Sequence, residues 1–440
     1  MENAEADSLK RVFGLPTLVI YGVGDVLGAG IYALIGKIAG LSGTLVWVSF
    51  TTAMVVAALT ALSYAELGSR FPQSGGVAYF VHRAFGNDRL SILVGWVMFC
   101  TCLVSMATGA KAFAGYFNAF ASGVPAWLII LAFFSALAFV SFRGMEESSV
   151  LNIICTTIEV SGLFIVILVS SLFLFGNDAG AATPTASSIT QAPAIGWTAI
   201  FQGAALAFYA FIGFEDIVNV AEEVKNPERN VPRAILLSLS IAGVIYILVS
   251  WLATQVLSPA DLSASNAPLL DVVSQAQPNF PRVVFALVPL FAVLNTVLLN
   301  FVTASRLLYG MSREGLLPAW LGKLHAQRAT PYRTLLVILP LAIFLTLSGT
   351  LPFLAGTTAT LLLGMFCLVN ISLLIIKRRE PRSIGFQVPL AVPALALLFN
   401  LLLIAFASRE SHILALVFTS VGILLIVIRQ VFIDKSLPSS

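Results

Sequence analysis

The sequence predicts an all-α integral membrane protein of twelve transmembrane helices, built as five plus five in an inverted repeat with two extra helices at the C-terminal end. Three observations lead there. The composition is too apolar for any soluble domain, Lys and Arg are distributed one-sidedly along the chain, and glycines interrupt the apolar runs at matching places in two halves.

The 440 residues are 58% hydrophobic and only 10% charged, against roughly 25% charged in soluble proteins. A membrane β-barrel would need short segments of alternating polarity. The runs here are long and continuous, so helices are the spanning element. The first dozen residues, MENAEADSLKRV, are polar and of mixed charge, unlike a cleaved signal. Cys100, Cys102, Cys155 and Cys367 all fall in apolar runs and read as small packing residues. No Cys or His cluster has ligand spacing, so no disulfide framework, metal or cofactor is expected. The net charge of +3 is a matter of topology, not of nucleic-acid binding.

Spans are read at 13–40, 43–68, 90–119, 125–143, 150–175, 197–222, 232–256, 282–311, 332–349, 351–377, 388–409 and 411–434. Several exceed the ~20 residues a bilayer needs, so tilts or breaks are expected. With the N-terminus in the cytoplasm, twenty of the 24 Lys and Arg fall inside, and only Lys37, Lys111, Arg282 and Arg409 fall elsewhere. The positive-inside rule is then satisfied with both termini cytoplasmic. The expected location is a plasma membrane, consistent with a bacterial inner membrane.

The repeat rests on two interruptions. GDVLGAGI (24–31) places Asp25, Gly28 and Gly30 inside the first span, and FIGFED (211–216) places Gly213, Glu215 and Asp216 inside the sixth. A glycine weakens a helix by about 1 kcal/mol relative to alanine, and a carboxylate in hydrocarbon costs several more. Glycines also serve plain close packing. Two interruptions in corresponding positions, each with carboxylates, point instead to the discontinuous helices of an inverted-repeat transporter. The chain then divides into a first repeat (13–175), a second (197–377) and helices 11 and 12 (388–434).

A broken helix offers two kinds of backbone group. Free N–H groups and the dipole at the start of the second half-helix suit a carboxylate. Free carbonyls at the end of the first half-helix suit an ammonium or a cation. Together the breaks suit a zwitterion, its carboxylate at Gly28, Ala29, Gly30 and Ile31 and its amino group at carbonyls around Phe208, Tyr209 and Phe211. Glycine adds room for a close approach to the amides.

These motifs resemble the amino acid–polyamine–organocation superfamily. GAGI (28–31) looks like its first-helix signature and YAELGSRFPQSGG (64–76) like its second-helix exit. FYAFIGFEDIVNVAEEVKNPERNVPRAI (208–235) is similar to its sixth helix and following loop. SRLLYGMSREGLLP (305–318) and VNISLLIIKRREP (369–381) resemble the ends of its eighth and tenth helices. The resemblance implies a leucine-transporter-like fold, alternating access and an amino acid or amine substrate. It further implies that Tyr209 and Ile212 line the pocket, Tyr209 as an aromatic gate, and that Asn300 faces the centre. One departure stands out. Many proton-coupled members carry a lysine midway along the fifth helix, where TTIEVSGLF (156–164) places Glu159.

Asp25 and Glu159 both lie deep in their spans, and an ionisable group at that depth is a functional candidate. Their bland role would be a hydrogen-bonded link between helices. Burial and a neighbouring acid favour a carboxyl that exchanges protons near neutral pH. Glu159 with Asp25 is therefore a candidate for proton coupling, with sodium binding or recognition of a cationic substrate as the alternatives. Glu215 sits where the family usually has an acid and is a candidate for an inner gate or proton path. It and Asp216 would otherwise bind loop cations. Glu66, near a span end, reads as structural. Lys111 is expected either to snorkel or to pair with an acid. His82, His325 and His412 lie at or beyond span ends and do not read as ligands.

In the loops, 75–89 suggests a short interfacial helix and 259–275 a short external helix acting as a lid. Residues 221–233 read as a hinge, with Pro227 and Pro232 stopping and restarting helices. A membrane enzyme would want His, Asp or Cys clusters at a bilayer face, and a sensor would want a soluble output domain. A channel would want a symmetric pore, and an ATP-driven pump a Walker motif. None is read. The reading is a secondary amino acid transporter, a proton symporter by preference, with an exchanger, a polyamine carrier or a sodium symporter as alternatives. Phe208, Tyr209, Phe211 and Met106 suit apolar side chains, and Asp25 and Glu159 cationic ones.

Overall fold

The computed structural model describes residues 11, 13–72, 76–120, 123–143, 145–176, 196–313, 317–323, 325, 331–381 and 385–434. Eight helical stretches among them are long and apolar enough to cross a membrane, and three shorter apolar helices accompany them. Large apolar side chains stand exposed on their outer faces, among them Ile20, Phe164, Phe344 and Leu416. That pattern suits a lipid solvent.

The first stretch is divided. α1 (Leu15–Leu27) stops at Gly28, whose φ of −15° and ψ of −161° leave the helical region, and α2 (Ala29–Ser42) starts at once. α3 (Val46–Arg70), α4 (Gly76–Phe85), α5 (Asp88–Phe120), α6 (Ala126–Arg143) and α7 (Met145–Phe175) follow. The region 75–89 thus contains one short helix. The next stretch is also divided. α8 (Trp197–Ala207) tightens into a 3-10 turn at Phe208–Phe211 and passes through extended Ile212 and Gly213 (φ 126°). It continues as a 3-10 run over Phe214–Glu223.

The second half continues with α9 (Pro227–Val256), α10 (Pro259–Ala264), α11 (Pro268–Ala276) and α12 (Arg282–Arg313). It ends with α13 (Tyr332–Ser348), α14 (Leu351–Arg379), α15 (Ala391–Phe406) and α16 (Arg409–Asp434). The region 259–275 holds two short helices rather than one, each opening on a proline at its N-terminal end. Pro232 does not restart a helix either, since it lies in the second turn of α9. A proline there removes the N–H that would bond the carbonyl four residues back. That carbonyl belongs to Glu228, and the Ser69 hydroxyl donates to it at 2.8 Å.

α5 packs along α12 and α3 along α9, and the divided stretches run between these pairs. The interior is aromatic. Tyr64 meets Phe80, Phe214 and Phe366 edge-on, and Phe211 packs against Phe50 and Tyr246. Buried amides pin the later helices to α3. Ser63 donates to Asn370 Oδ1 (2.7 Å), and Asn370 and Asn400 both donate to Thr60 Oγ1 (3.3 and 3.0 Å).

Candidate functional site

The two interruptions touch. A Cβ on Gly213 would lie 2.7–2.9 Å from the backbone of Asp25 and Val26, and its positive φ already disfavours any other residue. A Cβ on Gly30 would strike the backbone of Ala210. Each break therefore needs a glycine to admit the other chain's backbone. Between them lies a cavity walled by both interruptions and by α5, α12 and α14.

Of the expected site residues, Asp25, Gly28, Ala29, Gly30, Tyr209, Ile212, Glu215 and Asn300 line this cavity. Ile31, Phe208, Phe211 and Glu159 are fully buried outside its lining. Phe208 stands edge-on to Phe366, and Phe211 belongs to the aromatic wall. The space over the first-break glycines is not open either. Thr296 Oγ1 lies 2.5 Å from where a Gly28 Cβ would be.

The same Thr296 Oγ1 accepts the Ala29 N–H at 2.9 Å and donates to Ala292 O at 3.3 Å. It caps one of the orphan amides at the start of α2. The Asn300 side chain donates to Thr296 O (2.8 Å), one turn further along α12. Opposite, the Tyr209 hydroxyl meets Ser105 Oγ at 3.2 Å. Thr296 and Ser105 escape a motif search, although a sequence signal exists. Thr101, Ser105 and Thr108 on α5 and Thr296, Asn300 and Thr303 on α12 recur at helical spacing.

Three acids border the cavity: Asp25, Glu215 and Asp216. Glu215 Oε2 accepts the Gly213 N–H at 2.9 Å, and Asp216 Oδ1 accepts from Asn219 at 2.9 Å. The Asp25 carboxyl lies within hydrogen-bonding reach of Asp216, and its Oδ2 is buried without a partner. Two carboxyls bond only if one carries a proton. Glu159 sits on α7, fully buried, with neither carboxyl oxygen bonded. Its surroundings are set by neighbours of the first break. Tyr32 OH donates to the Glu159 carbonyl (2.8 Å), and Tyr246 OH to Val26 O (2.7 Å). One turn earlier, Thr156 fills the space over Gly24 and accepts from Asn295 at 3.3 Å.

A second chamber shares Met98, Glu215, Asp216 and Thr303 with the first and runs past His82, Asp88 and Arg306 beside α4. At the opposite end, α10 lies on α2, where the Lys37 ammonium donates to Ser263 O at 2.6 Å. The other deep charges have structural partners. Glu66 accepts from Arg70 (2.6 and 2.9 Å), from Lys377 (2.7 and 2.8 Å) and from the Val388 N–H (2.8 Å). Lys111 pairs with no acid among the described residues. It donates to Thr346 O at 3.0 Å and to Gly349 O, closing the C-terminal end of α13.

Paired interruptions around a polar cavity match what sequence comparison finds, for the amino acid permease family covers residues 13–428. The chain belongs to the amino acid permease family. The permease is 26% identical to the branched-chain amino acid permease of Bacillus subtilis, over 95% of this chain and 92% of that protein. It is 28% identical to the methylthioribose transporter of Bacillus subtilis, over 88% and 86% of the two chains. It is 31% identical to cationic amino acid transporter 4 of Mus musculus over 87% of its own length, and spans 62% of that relative. This permease is accordingly a multi-pass membrane transporter.

Proposed function

We propose that this permease carries amino acids across the plasma membrane by alternating access, coupled to protons. Twelve crossings in five-plus-five inverted repeats (13–175 and 197–377), with helices 11 and 12 appended, form the scaffold. Both termini lie in the cytoplasm. The observation that carries the reading is the contact of the two interruptions across one polar cavity. The start of α2 receives the substrate carboxylate at Ala29 and Gly30, where Thr296 yields its bond to Ala29. The amino group faces the loosened carbonyls of Tyr209 and Ala210, with Asn300 on the other side.

Proton coupling is supported by the acids around the first break. Asp25 and Asp216 lie close enough to hold a proton between them, and Glu159 is a fully buried carboxyl with no bonded partner. Glu215 lies on the route between the cavity and the α4 chamber. A second reading is a cationic substrate, favoured by three acids lining a cavity that has no Lys, Arg or His in its described lining. Some relatives are named for cationic amino acids and others for branched-chain ones. Uptake by proteoliposomes of labelled leucine, arginine and putrescine, with and without a pH gradient, tests both. Accumulation of leucine or arginine driven by the gradient is expected. Accumulation of none of the three sinks the proposal, and a requirement for sodium at fixed pH replaces the proton.

A further inference from the structure

Two of the four cations outside the positive-inside pattern, Lys37 and Lys111, line one cavity. It lies between α2, α5, the α10–α11 pair and the start of α14, at the end of the molecule away from α4. Tyr116, Ser265, Asn266 and Thr350 complete its polar lining, and no carboxylate belongs to that lining among the described residues. Neither lysine has a salt-bridge partner among the described residues. Two ammonium groups thus face one chamber with no carboxylate in its described lining, and their hydrogen bonds among the described residues go only to backbone carbonyls. An anion there pairs with both.

The lysines have donors to give. An ammonium carries three N–H groups. Lys37 donates to the Ser263 carbonyl, and Lys111 to the carbonyls of Thr346 and Gly349. The Ser263 carbonyl belongs to α10, and α10 is seated on the face of α2 that carries Lys37. A Cβ on Gly36 would strike the Leu262 carbonyl, and one on Gly40 the Ser263 side chain. On the other side, Gly115 of α5 comes close to the Asn266 carbonyl, 3.1 Å from where its Cβ would be. The short helices therefore close this end through backbone contacts, and Lys37 holds one of them.

We infer that Lys37 and Lys111 form an outer receiving site for the substrate's carboxylate, and that the carboxylate opens the cover by replacing the Ser263 carbonyl on Lys37. Both bonds draw on the ammonium's charge, but only the carboxylate brings an opposite charge, shared between two lysines, and that attraction favours the exchange. This rests on the proposed orientation and substrate, and it sharpens the second. A carboxylate is required at the entrance, so amino acids are admitted and polyamines are not.

The test has two arms. The first needs no transport. Sodium acetate replaces sodium isethionate at constant ionic strength while the unfolding temperature of the purified full-length protein in detergent is followed. Acetate is expected to raise it for the wild type and not for Lys37→Met/Lys111→Met. No effect on the wild type, or an equal effect on both, overturns the site. The second arm measures uptake from the outside into proteoliposomes. Each single Lys→Met substitution is expected to raise the half-saturation concentration for leucine or arginine about tenfold, the equivalent of one lost contact of ~1.4 kcal/mol. Lys→Arg is expected to restore it. An unchanged value in both Met variants overturns the receiving role. Failure of the wild type to take up any amino acid sinks the proposed function, while the acetate arm still decides the site.

Discussion

The two interruptions differ in kind. The first is a single residue, because α1 ends at Leu27 and α2 begins at Ala29 as a regular α-helix. The second is spread out. From Phe208 to Glu223 the backbone is 3-10, then extended, then 3-10 again, and a regular helix resumes only at Pro227. Runs of 3-10 helix beyond three or four residues are uncommon and often mark a hinge or strain. The first break thus offers a fixed set of amides, capped by Thr296, and the second a loosened segment that carries Glu215 and Asp216.

Glycine substitutions break this comparison most severely. Gly213→Ala places a Cβ against the backbone of Asp25 and Val26 at a φ of 126°. The conformational strain alone costs on the order of 1–3 kcal/mol, and backbone cannot step aside. Loss of a monodisperse, folded protein is expected, read by gel filtration and thermal unfolding. Gly28→Ala meets only the Thr296 hydroxyl, which can rotate. It should fold and bind substrate poorly. Equal destabilisation by both would end the distinction between a compact break and a loosened one.

Glu159→Gln is next. It removes an ionisable group that makes no hydrogen bond through its carboxyl, so little stability should change. If Glu159 couples protons, gradient-driven accumulation in proteoliposomes should collapse toward equilibration while exchange of internal for external substrate persists. Unchanged accumulation and an unchanged pH profile would remove Glu159 from coupling. That would leave Asp25 with Asp216, tested by Asp25→Asn in the same assay.

Much of this was legible in the sequence, and its limits have physical reasons. Gly28 and Gly213 announce the breaks because each stands with carboxylates at a corresponding place in the two halves. The sequence does not say what lies over each glycine. Thr296 and Ala210 arrive from distant parts of the chain, and their approach is a matter of packing. Phe208 and Phe211 read as site residues because they flank the break, yet their rings turn into the aromatic core beside Phe366, Phe50 and Tyr246. Lys111 was undecidable between lipid headgroups and an acid because its partners, the carbonyls of Thr346 and Gly349, are backbone and leave no mark in the residue pattern. Asp216 reads as a loop link until the fold brings its carboxyl to Asp25.

The smallest effects separate the cap from the wall. Thr296→Val keeps the shape of the side chain and removes the oxygen that accepts the Ala29 N–H. A lost cap costs about 1 kcal/mol, so the unfolding temperature should fall slightly. The substrate carboxylate, however, no longer competes with Thr296 for that amide. Its half-saturation concentration should therefore stay level or fall, by at most the roughly fivefold that 1 kcal/mol allows. Ser105→Ala removes only one partner of Tyr209, from the wall rather than the break. It should weaken binding about twofold or less, within the range of one neutral hydrogen bond. If Thr296→Val weakens binding more than Ser105→Ala does, the threonine hydroxyl contacts the substrate itself, and the amides at the first break are not a free-standing carboxylate site.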